Sequence, residues 1–159
     1  LVKEAPEGVP PAIRLLCARI SADSGREAGS LEDTKSAFWR QPRLPGALEI
    51  LVVLHLRKQQ VAEAISAVEE ARRVGAFSTE RRVLLGQLYR MKGRDGDALA
   101  TFEQAISAAP EDPTLHYQMG LSLLALNRSD EASQAFQKAL AISSTFPEAD
   151  DARRALEGS

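Results

Sequence analysis

The chain is 159 residues long, 44% apolar and 26% charged, which is enough for one domain with a real core and speaks against disorder. Its 20 Lys and Arg against 22 Asp and Glu leave a formal charge of −2, so the broad basic field of a nucleic-acid binder is missing and no nucleic-acid partner is expected. One cysteine, Cys17, and two histidines exclude an internal disulfide and a zinc site built from Cys and His, and no metal or cofactor is expected. The longest apolar run, Ile50-Leu51-Val52-Val53-Leu54, is far short of the roughly 20 residues that span a bilayer. No direct membrane insertion follows from it, and the sequence reads as a soluble one, cytoplasmic or periplasmic. Leu1 in place of Met marks a processed chain or a piece of a longer protein. Few aromatic residues and abundant Ala and Leu predict an all-α fold.

In chain order, residues 1–10 carry Pro6 and Pro10 and read as a linker or ragged end. From there a period of 34 runs through Pro11, Pro45, Thr79, Pro113 and Pro147, each predicted to open a helix, because proline in the first turn has no backbone donor to lose. Other columns keep the same period: Ala64, Ala98 and Ala132; Ala71, Ala105 and Ala139; Val68, Phe102 and Phe136; Leu51, Leu85 and Met119. Ala18, Val52, Gly86 and Gly120 form a small column. A small residue in mid-helix costs stability unless another helix comes close there. Gly25, Gln59, Gly93 and Asn127 form a further column at which each first helix is predicted to stop in a left-handed turn and hand over to a second. The units are then 11–44, 45–78, 79–112 and 113–146. The first of them is degenerate, because Ser30 and Thr34 occupy apolar slots. Residues 147–157 add one helix with a polar outer face that would close the last apolar surface.

Leu85-Gly86, Tyr89, Gly93, Ala98, Phe102, Ala105 and Pro110 together resemble the tetratricopeptide repeat. The following unit shows the same pattern with Met119-Gly120, Asn127, Ala132, Phe136 and Ala139. The resemblance covers 45–157 well and 11–44 weakly. It implies a right-handed α-α superhelical solenoid of helix-turn-helix repeats with a C-terminal capping helix.

Chemistry of an enzymatic kind is not expected. Cys17 lies in the apolar column, His55 shares a column with Tyr89 and Leu123, and His116 has no second histidine at helical spacing. Gly93-Arg94-Asp95-Gly96-Asp97 is too short for a calcium loop. Here Asp97 is read as an acid favouring the positive end of a helix that starts near Ala98.

The resemblance implies recognition, by a scaffold or adaptor, of a peptide, helix or partner domain in a concave groove lined by the first helices. Carried to this chain, that lining is Glu49, Val53, Leu56, Arg57, Val83, Gln87, Arg90, Tyr117, Leu121 and Leu124. Members that grip acidic C-termini use a clamp of Lys, Arg and Asn. Glu49, Val53, Val83, Gln87, Tyr117 and Leu121 stand in its place, which favours an amphipathic or apolar segment. The alternatives are an accessory part of a bacterial export or exopolysaccharide assembly, or a regulatory domain of a larger enzyme. Charge is uneven: residues 57–94 carry nine basic and four acidic side chains, residues 95–159 four basic and eleven acidic. Arg72, Arg73, Arg81 and Arg82 are a candidate patch for an anion or acidic partner, and head-to-tail self-association is a further expectation.

Overall fold

Three residues spaced 34 apart set the chain's geometry: Gln59, Gly93 and Asn127 all have positive φ, at 59°, 73° and 59°. In the computed structural model, which describes residues 46–157, each ends a helix in the same way. The amides of Gln59, Gly93 and Asn127 donate to the carbonyls of Leu56, Arg90 and Leu124. Those of the next residues, Gln60, Arg94 and Arg128, reach back to His55, Tyr89 and Leu123 at 2.8–2.9 Å. This pair of bonds satisfies carbonyls that would otherwise be orphaned at a helix C-terminus.

The helices are α1 (Ala47–Arg57), α2 (Val61–Arg73), α3 (Thr79–Met91), α4 (Asp95–Ala108), α5 (Pro113–Ala125), α6 (Ser129–Ile142) and α7 (Ala149–Glu157). The described residues form helix pairs that recur every 34 residues, the all-α repeat fold that the resemblance implies. Thr79 and Pro113 are the first residues of α3 and α5. Both helices are capped: Ser78 Oγ accepts from the Arg81 amide and an Asp112 oxygen from the Thr114 amide. At α7 the predicted start at Pro147 moves to Ala149. Asp97 lies inside α4, which opens at Asp95 rather than near Ala98. No side chain caps α2, α4 or α6. In their place each has one or two acids in its first turn, at the positive end of the helix dipole. Two of these acids are held from the turn: Arg94 Nε donates to Asp97 at 2.7 Å, and Arg128 grips Glu131 through two nitrogens.

The chain divides into two units, Leu1–Phe77 and Ser78–Ser159. Within the first, α1 packs on α2. In the second, α3 to α7 stack in chain order, each on the next, and α3 also meets α5. The core of this second unit is Leu85, Leu88, Phe102, Leu115 and Phe136, all fully buried. Readings that concern Pro11, Cys17, Ala18, Gly25, Ser30, Thr34, Pro45, the linker 1–10 and the unit 11–44 fall outside the described residues.

Candidate functional site

The first helices of the repeats, α1, α3 and α5, carry the candidate groove residues, and the structure separates them into two groups. Val53, Leu56 and Tyr117 do not lie on an exposed face: they are 0%, 3% and 7% exposed. On α1 every residue from Leu51 to Leu56 is buried, while Ile50 is exposed. For Tyr117 the reason is its neighbours. The ring sits 5.7 Å from that of Phe136 and 6.1 Å from that of Phe146, both tilted, and is part of the core. Glu49, Arg57, Val83, Gln87, Arg90, Leu121 and Leu124 are half-buried. Within the second unit these form a stripe along α3 and α5, with Leu121 and Leu124 resting on the core beneath.

The centre of this stripe is polar. Arg90 on α3 donates from Nη1 to Oε1 of Gln118 on α5 at 3.0 Å. Its Nε is buried and finds no acceptor among the described residues. Burial pushes the guanidinium's pKa down, opposed by the charge of Asp95 and the Tyr117 hydroxyl. Arg90 and Gln118 both occupy columns that are apolar elsewhere: Leu56 and Leu124 in one, Ile50 and Leu84 in the other. That departure from the repeat is the signal by which Gln118, absent from the sequence expectations, was open to discovery. The spatial pairing of positions 90 and 118 was not, since nothing in the repeat links residues 28 apart.

Near Tyr117, Glu148 just before α7 is half-buried, with Oε2 unpartnered among the described residues. Burial raises its carboxyl above the ordinary range, as do the charges of Asp151 and Asp112, while its own amide and the Thr114 side chain oppose the shift. Tyr117 is raised too, by burial first and then by the charges of Asp151 and Glu148. On the opposite side of the unit, α4, α5 and α6 leave a cleft of about 440 Å³ floored by Leu99, Met119, Leu123 and Ala135.

Both histidines are packed into the fold. His55 is 4% exposed with Nδ1 at 3.1 Å from Gln60 Oε1, and His116 is 7% exposed with Nε2 at 2.8 Å from the Pro110 carbonyl oxygen. Arg73 is gripped by Glu70, Arg82 reaches the Gln104 carbonyl oxygen at 3.5 Å, and Arg72 is exposed. Arg72 and Arg73 belong to the first unit, Arg81 and Arg82 to the second. Among the described residues no three His, Cys, Asp or Glu side chains are placed to share a metal ion, and no helix is long and apolar enough to cross a membrane.

Two sequence profiles of the tetratricopeptide repeat match the chain, one over residues 51–113 and the other over 89–156. The chain belongs to the tetratricopeptide repeat family. Its tetratricopeptide fold is shared with solved structures of low sequence identity. MamA from Desulfovibrio magneticus aligns with a TM-score of 0.71 at 17% identity, covering 96% of this chain and 83% of that one. A thermophilic tetratricopeptide repeat protein of Thermus thermophilus aligns at 0.65 and 24%, covering 94% and 81%. One from Parabacteroides merdae aligns at 0.71 and 22%, covering 93% and 60%. Among curated proteins, the peroxisomal targeting signal receptors of Kluyveromyces lactis and Saccharomyces cerevisiae are 33% and 31% identical over 87 and 94 residues. These matches take in 55% and 58% of this chain but only 14% of each receptor. Tetratricopeptide repeats are modules of protein–protein interaction, and this chain is one of that class.

Proposed function

We propose that the chain is a non-catalytic scaffold or adaptor whose first-helix face in the second unit receives a peptide or helix from a protein partner. The observation that carries this reading is the half-buried stripe of Val83, Gln87, Arg90, Leu121 and Leu124 on α3 and α5. Apolar side chains left partly open on a rigid helical floor suit the apolar face of an amphipathic segment. The curated relatives are named as receptors of a targeting signal, which agrees with a short peptide segment as the class of partner. The basic side chains that a clamp for an acidic C-terminus needs are absent from Val83, Gln87 and Leu121.

The test immobilises the chain as bait in a lysate of the source cells, beside a Leu121→Glu variant with an unchanged helical circular dichroism spectrum. A charge placed on the stripe costs a bound apolar segment its burial. The expected result is a set of partners retained by the wild type and lost by the variant. Equal retention by both moves the interaction away from this face.

A further inference from the structure

We infer that Arg90 is an anion anchor in this stripe, and that the segment bound there carries an Asp or Glu side chain among apolar residues. The inference rests on the peptide-binding reading of the same face and specifies its chemistry. Three observations converge on it. First, Arg90 stands where the repeats before and after have Leu56 and Leu124, so the packing of a first helix does not itself call for a charge at this position. Second, the guanidinium is half-buried and desolvated, yet its hydrogen-bonded partner is the neutral amide of Gln118, and its Nε has no acceptor among the described residues. A desolvated cation without a carboxylate in contact is costly, and an incoming carboxylate recovers that cost in a short charge-assisted pair. Third, Gln118 is itself a polar residue in a column of Ile50 and Leu84, and it fixes the guanidinium from the neighbouring helix. Two polar departures that meet each other form a preorganised donor, with Nη1 committed to Gln118 and Nη2 left to meet a carboxylate.

Val83, Leu121 and Leu124 set the rest of the preference, because they ask for apolar side chains on the same bound segment. With one guanidinium at its centre, the stripe is built for a single carboxylate within the segment.

The experiment displays random peptides of about 12 residues, long enough for a few helical turns, with their C-termini fused so that no terminal carboxylate is present. They are panned against the whole chain and against Leu121→Glu, and the winners are resynthesised as C-terminal amides. The expected winners carry Asp or Glu among apolar residues and fail to bind Leu121→Glu. Changing the acid to its amide is expected to weaken binding to the wild type about tenfold, and binding to Arg90→Leu hardly at all. Arg90→Leu restores the residue of the neighbouring repeats and is expected to melt no lower than the wild type, which separates the anchor from a structural role. Peptides that bind the stripe without an acid, or that lose equally from wild type and Arg90→Leu, overturn the anchor while leaving the groove in place. Acid dependence seen only with a free C-terminal carboxylate overturns it as well. If no peptide is enriched, both the anchor and the groove reading fall.

Discussion

At Gly86 the space for a side chain is already taken. A Cβ there would lie 2.7 Å from two carbons of the Phe102 ring, and at Gly120 one would lie 2.6 Å from the ring of Phe136. Both rings are completely buried and have nowhere to retreat. Gly86→Ala is therefore expected to destabilise the chain by about 1–3 kcal/mol, measured by urea unfolding, and Gly86→Leu by more. Adding Phe102→Val to Gly86→Ala should cost less than the sum of the two single losses, because the first described repeat holds valines at both equivalent positions, Val52 and Val68, fully buried. Strictly additive losses in the double variant would show that glycine and ring do not answer each other. The left-handed turns offer a second test. Gln59 adopts φ 59° with a side chain that disfavours it, whereas Gly93 holds φ 73° freely. Gln59→Gly should be neutral or stabilise by up to about 1 kcal/mol and Gly93→Ala should destabilise by about as much, read as opposite shifts in melting temperature. A loss of stability in Gln59→Gly would mean that its side chain contributes more than the backbone strain it carries.

Among the described elements, α7 docks beside a carboxyl whose protonation the fold favours, so its docking is expected to respond to pH. Phe146 packs its ring on Tyr117 just before the helix, and Ala149 and Ala152 are buried against the same core. Glu148 enters that contact with its carboxyl raised by burial and by Asp151 and Asp112. The fold thus favours the protonated form. Its stabilising contribution is complete below the ordinary carboxylate pKa and is lost as pH rises through the raised value. Glu148→Gln should melt above the wild type at neutral pH, with the difference closing toward about pH 4. A difference that is constant across this range would remove Glu148 from the pH response. The helices themselves were largely legible in the sequence, because the turn column 59, 93 and 127 and the small column 86 and 120 each answer one steric demand that recurs every 34 residues. The candidate site was legible only in part. The repeat locates which helix a residue is on, but the exposure of one face depends on how much of the helix its neighbours cover. For that reason Val53, Leu56 and Tyr117 disappear into the core, while the Arg90 and Gln118 contact shows in the columns only as two unexplained polar residues.

For the whole molecule, the second unit is the part whose described residues carry a full set of stacked repeats: two capped first helices, their partners and a closing helix. Repeat arrays draw their stability from neighbouring interfaces, so a set that includes its own closing helix needs little from outside. Residues 78–159 alone are expected to give a helical circular dichroism spectrum and a cooperative thermal transition, whereas a shorter piece that stops before Phe146 should melt broadly and at lower temperature. A featureless melt for residues 78–159 would mean that this unit depends on the residues before it. The valine pair and the two glycine–phenylalanine pairs also bear on how such an array can be rearranged in evolution. A recombination that joins α1 to α4 sets Val52 against Phe102, where even a methyl group does not fit, and one that joins α3 to α2 leaves Gly86 beneath Val68 with a hole between them. Duplication and shuffling of this gene are therefore free only at breakpoints between helix pairs, near Ser78 and Asp112, so the inheritable module is the matched pair and never the single helix.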